Sequence, residues 1–254
     1  MKTYSLTFAA AALGLALVHS PNASLHAAEL QVLAGGGMTA PLKDLTTQFE
    51  ADSGHKLVIR FGTTPELIKL TTSGGPFDLA VVPREVFKDA AAQARFVSGP
   101  TIDIARVGLG VAVRSGAPKP DIGTPDALKG ALLAAKSVAH SRTGMSGIYF
   151  PTVLARLGIA DEMKPKIVTP EPGTPVGEVV AKGEAEIGVQ QISELLPVAG
   201  IEIVGPLPAA LQRITIFSAG VLTAAKEPEA ARALVQFVAT ASRPLLKDKG
   251  LEPA

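Results

Sequence analysis

The feature that most constrains the fold is a repeated pattern of an apolar run, a short loop and the start of a helix. In the first copy, residues 30–42, an apolar run leads into three glycines and then a helical pattern. In the second, the run 56–61 is followed by Thr63-Thr64-Pro65-Glu66, whose residue types suit a helix N-terminus. The third is the buried run 77–82. Successive strand-then-helix units predict an α/β fold with a parallel sheet flanked by helices.

The loops of these units predict a ligand site. The carboxyl ends of parallel strands meet at one edge of a sheet, and ligands collect there. The free N–H groups of a helix N-terminus favour an anion. The glycine stretch lacks the spacing of a dinucleotide site and of a phosphate loop. Taken alone, the first loop therefore indicates only a small-anion site.

The second half of the chain repeats the pattern between two long glycine-bearing apolar runs. These runs are residues 106–114 and 213–222, and each is interpreted as one long strand. A complete set of strands and helices lies between them, which predicts two lobes joined by two crossing strands, with a cleft between the lobes. The predicted division is 1–28 as a signal peptide, 29–112 with 214–254 as the first lobe, and 113–213 as the second lobe.

Composition excludes several functions. Aromatic residues make up 4% of the 254 residues and Trp is absent, which disfavours carbohydrate and single-stranded nucleic acid as ligands. The formal net charge of +1 gives no basic field for nucleic acid or a membrane. The chain has no Cys, so it has no disulfide, no thiolate metal site and no lipid-modified cysteine.

The N-terminal segment has the pattern of a secretory signal peptide. Lys2 gives a positive start, residues 6–18 form an apolar stretch, and small residues surround Ala27 and Ala28. We expect cleavage after one of these two alanines. The apolar stretch is too short to span a bilayer. The sequence therefore predicts a soluble exported protein, most simply a periplasmic one.

Six segments carry a resemblance to a known family through their order and spacing. They are LQVLAGGGMTAPLKDLTTQFEADSGHKL, FGTTPEL, GGPFDLAVVP, SRTGMSGIY, GEAEIGVQQISELLP and FSAGVLTAAKEPEAARALVQFVA. Together they resemble the type II periplasmic solute-binding proteins, specifically the molybdate-binding-protein-like group, which includes aconitate isomerase-like proteins. The resemblance covers nearly the whole mature chain. It implies two lobes, each a mixed sheet flanked by helices, that bind a small anion between them through hydroxyls and backbone amides.

The resemblance carries the ligand-binding positions over to a few loops. The candidate ligand-binding residues are Gly36, Gly37, Met38, Thr63, Thr64, Arg84, Ser141, Arg142, Thr143, Ser146, Gln190 and Gln191. Because successive side chains of a strand alternate between its faces, we expect only one of the two glutamines to face the cleft. We expect no cofactor and no metal ion.

Departures from the group's pattern bear on the ligand. Molybdate binders of this group typically present Ser in the first loop, where this chain has glycine, and Tyr on the strand that here carries Gln190 and Gln191. Arg84 follows the third strand, and Arg142 lies in a second-lobe loop. Guanidinium groups bind carboxylates in bidentate geometry. A di- or tricarboxylate is therefore favoured over molybdate.

Simpler roles stay open for several of these side chains. Arg84 could instead form a surface ion pair with a nearby acid such as Glu85, and Arg142 could point to solvent. His140 follows an apolar strand, which is typical of a packed, hydrogen-bonded histidine. Glu66 has the position of an acid in the first turn of a helix.

Two functions of different classes follow. The first is a transport receptor, a monomer that closes on a small organic anion and delivers it to an ABC permease in the inner membrane. The second is a cofactor-independent aconitate isomerase, which interconverts the cis and trans isomers by an allylic proton shift. The candidate proton-transfer groups are His140, Ser141 and Thr63, and the sequence favours none of them.

Overall fold

The computed structural model describes residues 27–99, 101–171 and 173–254. Most of the predicted signal peptide, residues 1–26, lies outside these ranges. The strands are β1 (Glu29–Gly35), β2 (Lys56–Gly62), β3 (Leu79–Pro83), β4 (Ile102–Val107), β5 (Leu109–Arg114), β6 (Val138–His140), β7 (Ile167–Val168), β8 (Ile187–Gln191), β9 (Ile201–Pro206), β10 (Thr215–Val221) and β11 (Glu252–Pro253). Within the described ranges, no helix combines the length and apolar character needed to cross a membrane.

Helices cover both faces of the sheets. They are α1 (Thr39–Ser53), α2 (Thr64–Thr72), α3 (Arg84–Lys88), α4 (Ala90–Gln93), α5 (Pro125–Ala134), α6 (Met145–Arg156), α7 (Ala160–Met163), α8 (Val176–Ala181), α9 (Ile192–Leu195), α10 (Pro228–Ala241) and α11 (Arg243–Leu246). Short 3-10 helices occupy Gly36–Met38, Lys164–Lys166, Ala209–Leu211 and Lys247–Lys249. The α/β fold predicted from the sequence is confirmed.

The first lobe is built on a six-stranded sheet with the order β11-β4-β10-β3-β1-β2. β1 pairs in parallel with β2 and β3, as the strand-then-helix units predict, whereas β10 pairs antiparallel with β3 and β4. Gly35 and Gly62 are register partners at the carboxyl ends of β1 and β2. The loops that follow these two strands therefore start side by side.

The second lobe is built on a five-stranded sheet with the order β7-β6-β8-β5-β9. β6 pairs in parallel with β7 and β8, and β5 pairs antiparallel with β8 and β9. The loops after β6 and β8 thus leave the same edge of this sheet. Both sheets are mixed, as the resemblance implies.

Alternating side chains of β1 supply two separate apolar cores. Leu30 and Val32 pack in a cluster with α1 and α10, whereas Leu33 packs in a cluster with α2 and α3. Both strand faces are apolar because helices cover both sides of the sheet. This burial fixes the positions of the strand ends that carry the site.

The connection between the lobes differs from the prediction. Residues 106–114 are not one strand: β4 ends at Val107 in the first sheet, and β5 begins at Leu109 in the second. Gly108 separates them, and a Cβ there would lie 2.8 Å from Cδ of Gln212. The Gln212 side chain accepts from the Leu109 N–H and donates to the Leu109 carbonyl, both at 2.8 Å. The crossing therefore lies at Gly108 rather than after residue 112.

Candidate functional site

A cleft between the lobes is lined by loops from the carboxyl ends of strands in both sheets. It has two compartments, of about 460 Å³ and about 380 Å³. The residues that line both compartments are Gly36, Thr63, Gly144, Gly173 and Glu194. Compartments of this size are typical of small-molecule sites.

The lining is polar at the helix ends and apolar elsewhere. The first compartment is completed by Phe61, Gly62, Thr64, Glu66, Pro83, Met145, Gln191 and Phe217. The second compartment is completed by Thr39, Ala40, Lys43, Ser141, Thr174, Pro175, Gln190, Ser193, Pro197 and Val198. Among these described lining residues, Lys43 is the one cation, and Glu66 and Glu194 are the carboxylates.

Three helix starts meet at the first compartment. The 3-10 helix Gly36–Met38 leads into α1, α2 begins at Thr64, and α6 begins at Met145 directly after Gly144. The first N–H groups of a helix have no partners within the helix, and the helix dipole adds positive potential there. The arrangement is therefore suited to an anion.

Thr63 and Glu66 form a closed pair at the start of α2. The Glu66 carboxylate accepts from the Thr63 N–H at 2.8 Å and from the Thr63 hydroxyl at 2.9 Å. These two hydrogen bonds lower the pKa of Glu66. Glu66 is thus an acid in the first turn of the helix, as expected, and an incoming anion would compete with it for the Thr63 N–H.

The glycine loop allows the second lobe to approach closely. A Cβ on Gly36 would lie 2.7 Å from Oε1 of Glu194, and a Cβ on Gly37 would lie 2.5 Å from Oε1 of Gln191. The ends of the Glu194 and Gln191 side chains can shift, but the Gly37 Cβ position also lies 2.8 Å from Cζ of the buried Phe217 ring, so glycine is needed at Gly37. Met38, a predicted ligand residue, instead has its side chain fully buried in the core of the first lobe.

Glu194 is a functional candidate that the sequence reasoning missed. It lies on α9, three residues after Gln191, and it is partly buried in the wall shared by the two compartments. Loss of solvation raises the pKa of Glu194 to about 7, although a hydrogen bond with the Gln190 side chain opposes the shift. A carboxyl that titrates near neutral pH can both donate and accept a proton. Glu194 follows Gln191 by three residues, just as Glu66 follows Thr63 by three residues. This shared spacing is the one sequence signal that could have pointed to Glu194.

Both glutamines at the end of β8 line the cleft, in different compartments. Gln190 lines the second compartment, and its Oε1 accepts from the Val176 N–H at 3.2 Å. Gln191 lines the first compartment. The expectation that only one of them faces the cleft is wrong, because β8 ends at Gln191 and the cleft extends around the end of the strand.

The loop after β6 is held together by its own hydroxyls. The Ser141 and Ser146 hydroxyl oxygens lie 2.9 Å apart, and Ser141 Oγ accepts from the Gly147 N–H at 3.1 Å. Ser141 lines the second compartment, whereas Ser146 is 1% exposed and Thr143 is on the surface. Neither Ser146 nor Thr143 is among the lining residues.

The two predicted arginines lie outside the cleft lining. Arg84 forms an ion pair with Asp103 of β4, which also accepts from the Ser218 hydroxyl at 2.5 Å. Arg142 pairs with Glu171 at 3.3 Å, and both side chains are exposed. The sequence could not reveal these partners, because they come from distant parts of the chain. The cation at the cleft is Lys43 instead.

His140 is packed inside the second lobe. Its Nδ1 lies 2.8 Å from the Ser141 carbonyl oxygen, and its ring meets the Phe150 ring edge at 5.7 Å between centroids. Burial lowers the pKa of His140, so the ring is neutral at physiological pH. Among the described residues, no group of three or more His, Asp and Glu side chains is placed to hold a metal ion.

Sequence comparisons show which known proteins this chain is similar to. A family model described as bacterial extracellular solute-binding protein matches residues 30–252. An aconitate isomerase from a Pseudomonas species is 35% identical over 233 residues, covering 88% of this chain and 87% of that protein. The molybdate-binding protein ModA of Azotobacter vinelandii is 29% identical over 253 residues, covering 93% of each.

A solved structure agrees with the fold. The periplasmic molybdate-binding protein of Azotobacter vinelandii superimposes with a TM-score of 0.72 at 19% identity, covering 87% of this chain and 98% of that one. At this identity the superposition supports the two-lobed fold and carries no information on the ligand.

Proposed function

Because the chain belongs to the bacterial extracellular solute-binding protein family, we propose that it captures a small organic anion, a di- or tricarboxylate, in the interlobe cleft. The observation that carries the proposal is the meeting of three helix starts in one compartment, with Lys43 in the adjoining one. The helix starts and the ammonium group supply separated positive potential. Carboxylates joined by a short carbon chain match that separation.

The lining favours carboxylates over a compact metal oxyanion. A tetrahedral oxyanion would occupy only one part of the first compartment. The second compartment shares a wall with the first and adds space for a longer ligand. Phe61 and Phe217 add apolar surface for a carbon skeleton. The name of the Pseudomonas relative also gives a tricarboxylate as its substrate.

As a transport receptor, the protein acts in the periplasm after removal of its signal peptide. It closes on the anion and delivers it to an ABC permease in the inner membrane. A monomer suffices for this role, because both walls of the cleft come from one chain.

A thermal-shift panel of the mature protein tests the proposal. The panel contains citrate, cis- and trans-aconitate, malate, molybdate and tungstate, each at several concentrations. A ligand present at 100 times its Kd stabilises the folded state by about 2.7 kcal/mol, which raises Tm by several degrees. We expect carboxylates to stabilise the protein. Stabilisation by molybdate or tungstate alone would contradict the proposal.

A second candidate, aconitate isomerase, is favoured by Glu194. In its ionised form this carboxylate would take a proton from the methylene carbon of aconitate and return it to the other end of the allylic system. The double bond would move without net oxidation or reduction. Glu194 is placed in the cleft wall and titrates near neutral pH, as such a step requires.

Proton NMR of trans-aconitate incubated with the protein tests this second candidate. An isomerase converts trans-aconitate to the cis isomer, and Glu194→Gln abolishes the conversion. If no cis isomer forms at high protein concentration, isomerase activity is rejected while capture stands. If Glu194→Gln retains full activity, another group moves the proton.

A further inference from the structure

We propose that the cleft binds its anion together with one proton, which is held between Glu194 and a carboxylate of the ligand. The inference rests on the proposed capture of a carboxylate. It assigns to Glu194 a binding role that makes capture depend on pH.

The position of Glu194 brings its side chain into contact with a ligand that spans both compartments. Its side chain belongs to the wall common to both compartments, so a ligand that extends from one into the other passes it. It also meets the glycine loop across the interlobe junction, where its Oε1 lies 2.7 Å from the position a Gly36 Cβ would take. The helix start that follows Gly36 is one of the proposed anion donors. An anion bound there is a near neighbour of the Glu194 carboxyl.

Among the residues that the structure describes, Glu194 forms no ion pair. Desolvation raises the pKa of Glu194, and the hydrogen bond with the Gln190 side chain opposes this shift. The charged side chains that line the cleft with it are Glu66 and Lys43. On the elements packed against α9, the other charged groups are Asp44 paired with Lys249, Glu50 paired with Lys56, Glu178 paired with Lys182, Glu202 paired with Lys119, and also Asp52 and Arg114.

The two protonation states of Glu194 have opposite effects on the binding of an anion. The ionised carboxylate repels a ligand carboxylate at close range in a site of low polarity. The neutral acid can donate a hydrogen bond to it, and a bond to an ionised acceptor is among the stronger ones. Because the pKa of Glu194 is already about 7, the neutral form is well populated at neutral pH. Glu66 differs, because the Thr63 hydrogen bonds lower its pKa.

Capture and isomerisation make opposite demands on this proton. Capture in this form needs Glu194 protonated in the complex, whereas an allylic shift has to begin from the carboxylate. Proton uptake on binding is therefore a readout that catalysis alone would not give.

Isothermal titration calorimetry with tricarballylate tests the inference. This saturated tricarboxylate has no double bond to move and is fully ionised at pH 8. Titrations in buffers of different ionisation enthalpy give the number of protons taken up. A group with a pKa of about 7 is about nine-tenths ionised at pH 8, so we expect uptake of about 0.9 protons per ligand. We also expect affinity to fall about tenfold between pH 8 and pH 9.

Two variants test which side chain holds the proton that is taken up on binding. Glu194→Gln should bind with no proton uptake and with an affinity that does not change between pH 7 and pH 9. Glu162→Gln, which changes an exposed carboxyl on α7 outside the cleft lining, is the matched control and should retain the uptake. Binding by the unmodified protein without proton uptake, or unchanged uptake in Glu194→Gln, would overturn the inference and leave capture intact. Failure of every carboxylate in the panel to bind at pH 6 would overturn the proposed function and the inference with it.

Discussion

Replacing Glu194 with Gln should stabilise the protein at alkaline pH and have little effect at acidic pH. The folded-state pKa of Glu194 is about 7, against an ordinary value of 4.5. The folded state therefore holds a proton between these pH values that the unfolded state has released, and stability falls as pH rises through this window. Each pKa unit corresponds to about 1.4 kcal/mol, so the full penalty above pH 7 is about 3 kcal/mol. Glutamine resembles the neutral acid in shape and removes the penalty.

Urea denaturation at pH 5 and pH 8 measures the effect. We expect Glu194→Gln to raise the free energy of unfolding by less than about 1 kcal/mol at pH 5 and by about 3 kcal/mol at pH 8. Glu162→Gln, which changes an exposed carboxyl on α7, is the control and should not reproduce this difference. Equal effects of Glu194→Gln at the two pH values would refute the account of its environment.

Three further substitutions test other parts of the site. Gly37→Ala places a Cβ 2.8 Å from Cζ of the buried Phe217 ring and should lower the free energy of unfolding by about 1–3 kcal/mol in urea denaturation, whereas Gly130→Ala, in open space on α5, should not destabilise. Arg84→Ala removes an ion pair outside the cleft lining, so calorimetry should find carboxylate affinity within about twofold of that of the unmodified protein. A loss of binding would show that Arg84 contacts the ligand. Lys43→Met should weaken carboxylate binding by roughly tenfold in the same assay, and unchanged affinity would remove the ammonium group from the ligand contacts.

Local chemistry made the strand-and-helix order predictable. The Thr-Thr-Pro-Glu segment at 63–66 predicts a helix start on residue types alone, and α2 begins there, with Thr63 and Glu66 hydrogen-bonded to each other. The glycine loop after β1 was correctly interpreted as a strand end, since glycines let the backbone turn sharply there. The break of the long run at Gly108 was missed because the two halves pair with different sheets, which periodicity cannot reveal.

The charges of the site were the least predictable part. Arg84 and Arg142 follow strand ends, but their side chains pair with Asp103 and Glu171, which are brought near only by the fold. Glu194 lies in the first turn of the short helix α9, a common position for an acid. Its near-neutral pKa arises from desolvation in the folded cleft, where the other lobe approaches at Gly36. No local pattern encodes an environment that two distant segments create together.

A crystal structure of the mature protein grown with tricarballylate would test the central claim most directly. We expect the ligand between the lobes, with carboxylates at the starts of α1, α2 and α6 and one carboxylate within hydrogen-bonding distance of Glu194. A ligand bound outside the cleft, or an empty cleft in protein that calorimetry shows to be saturated, would contradict the account.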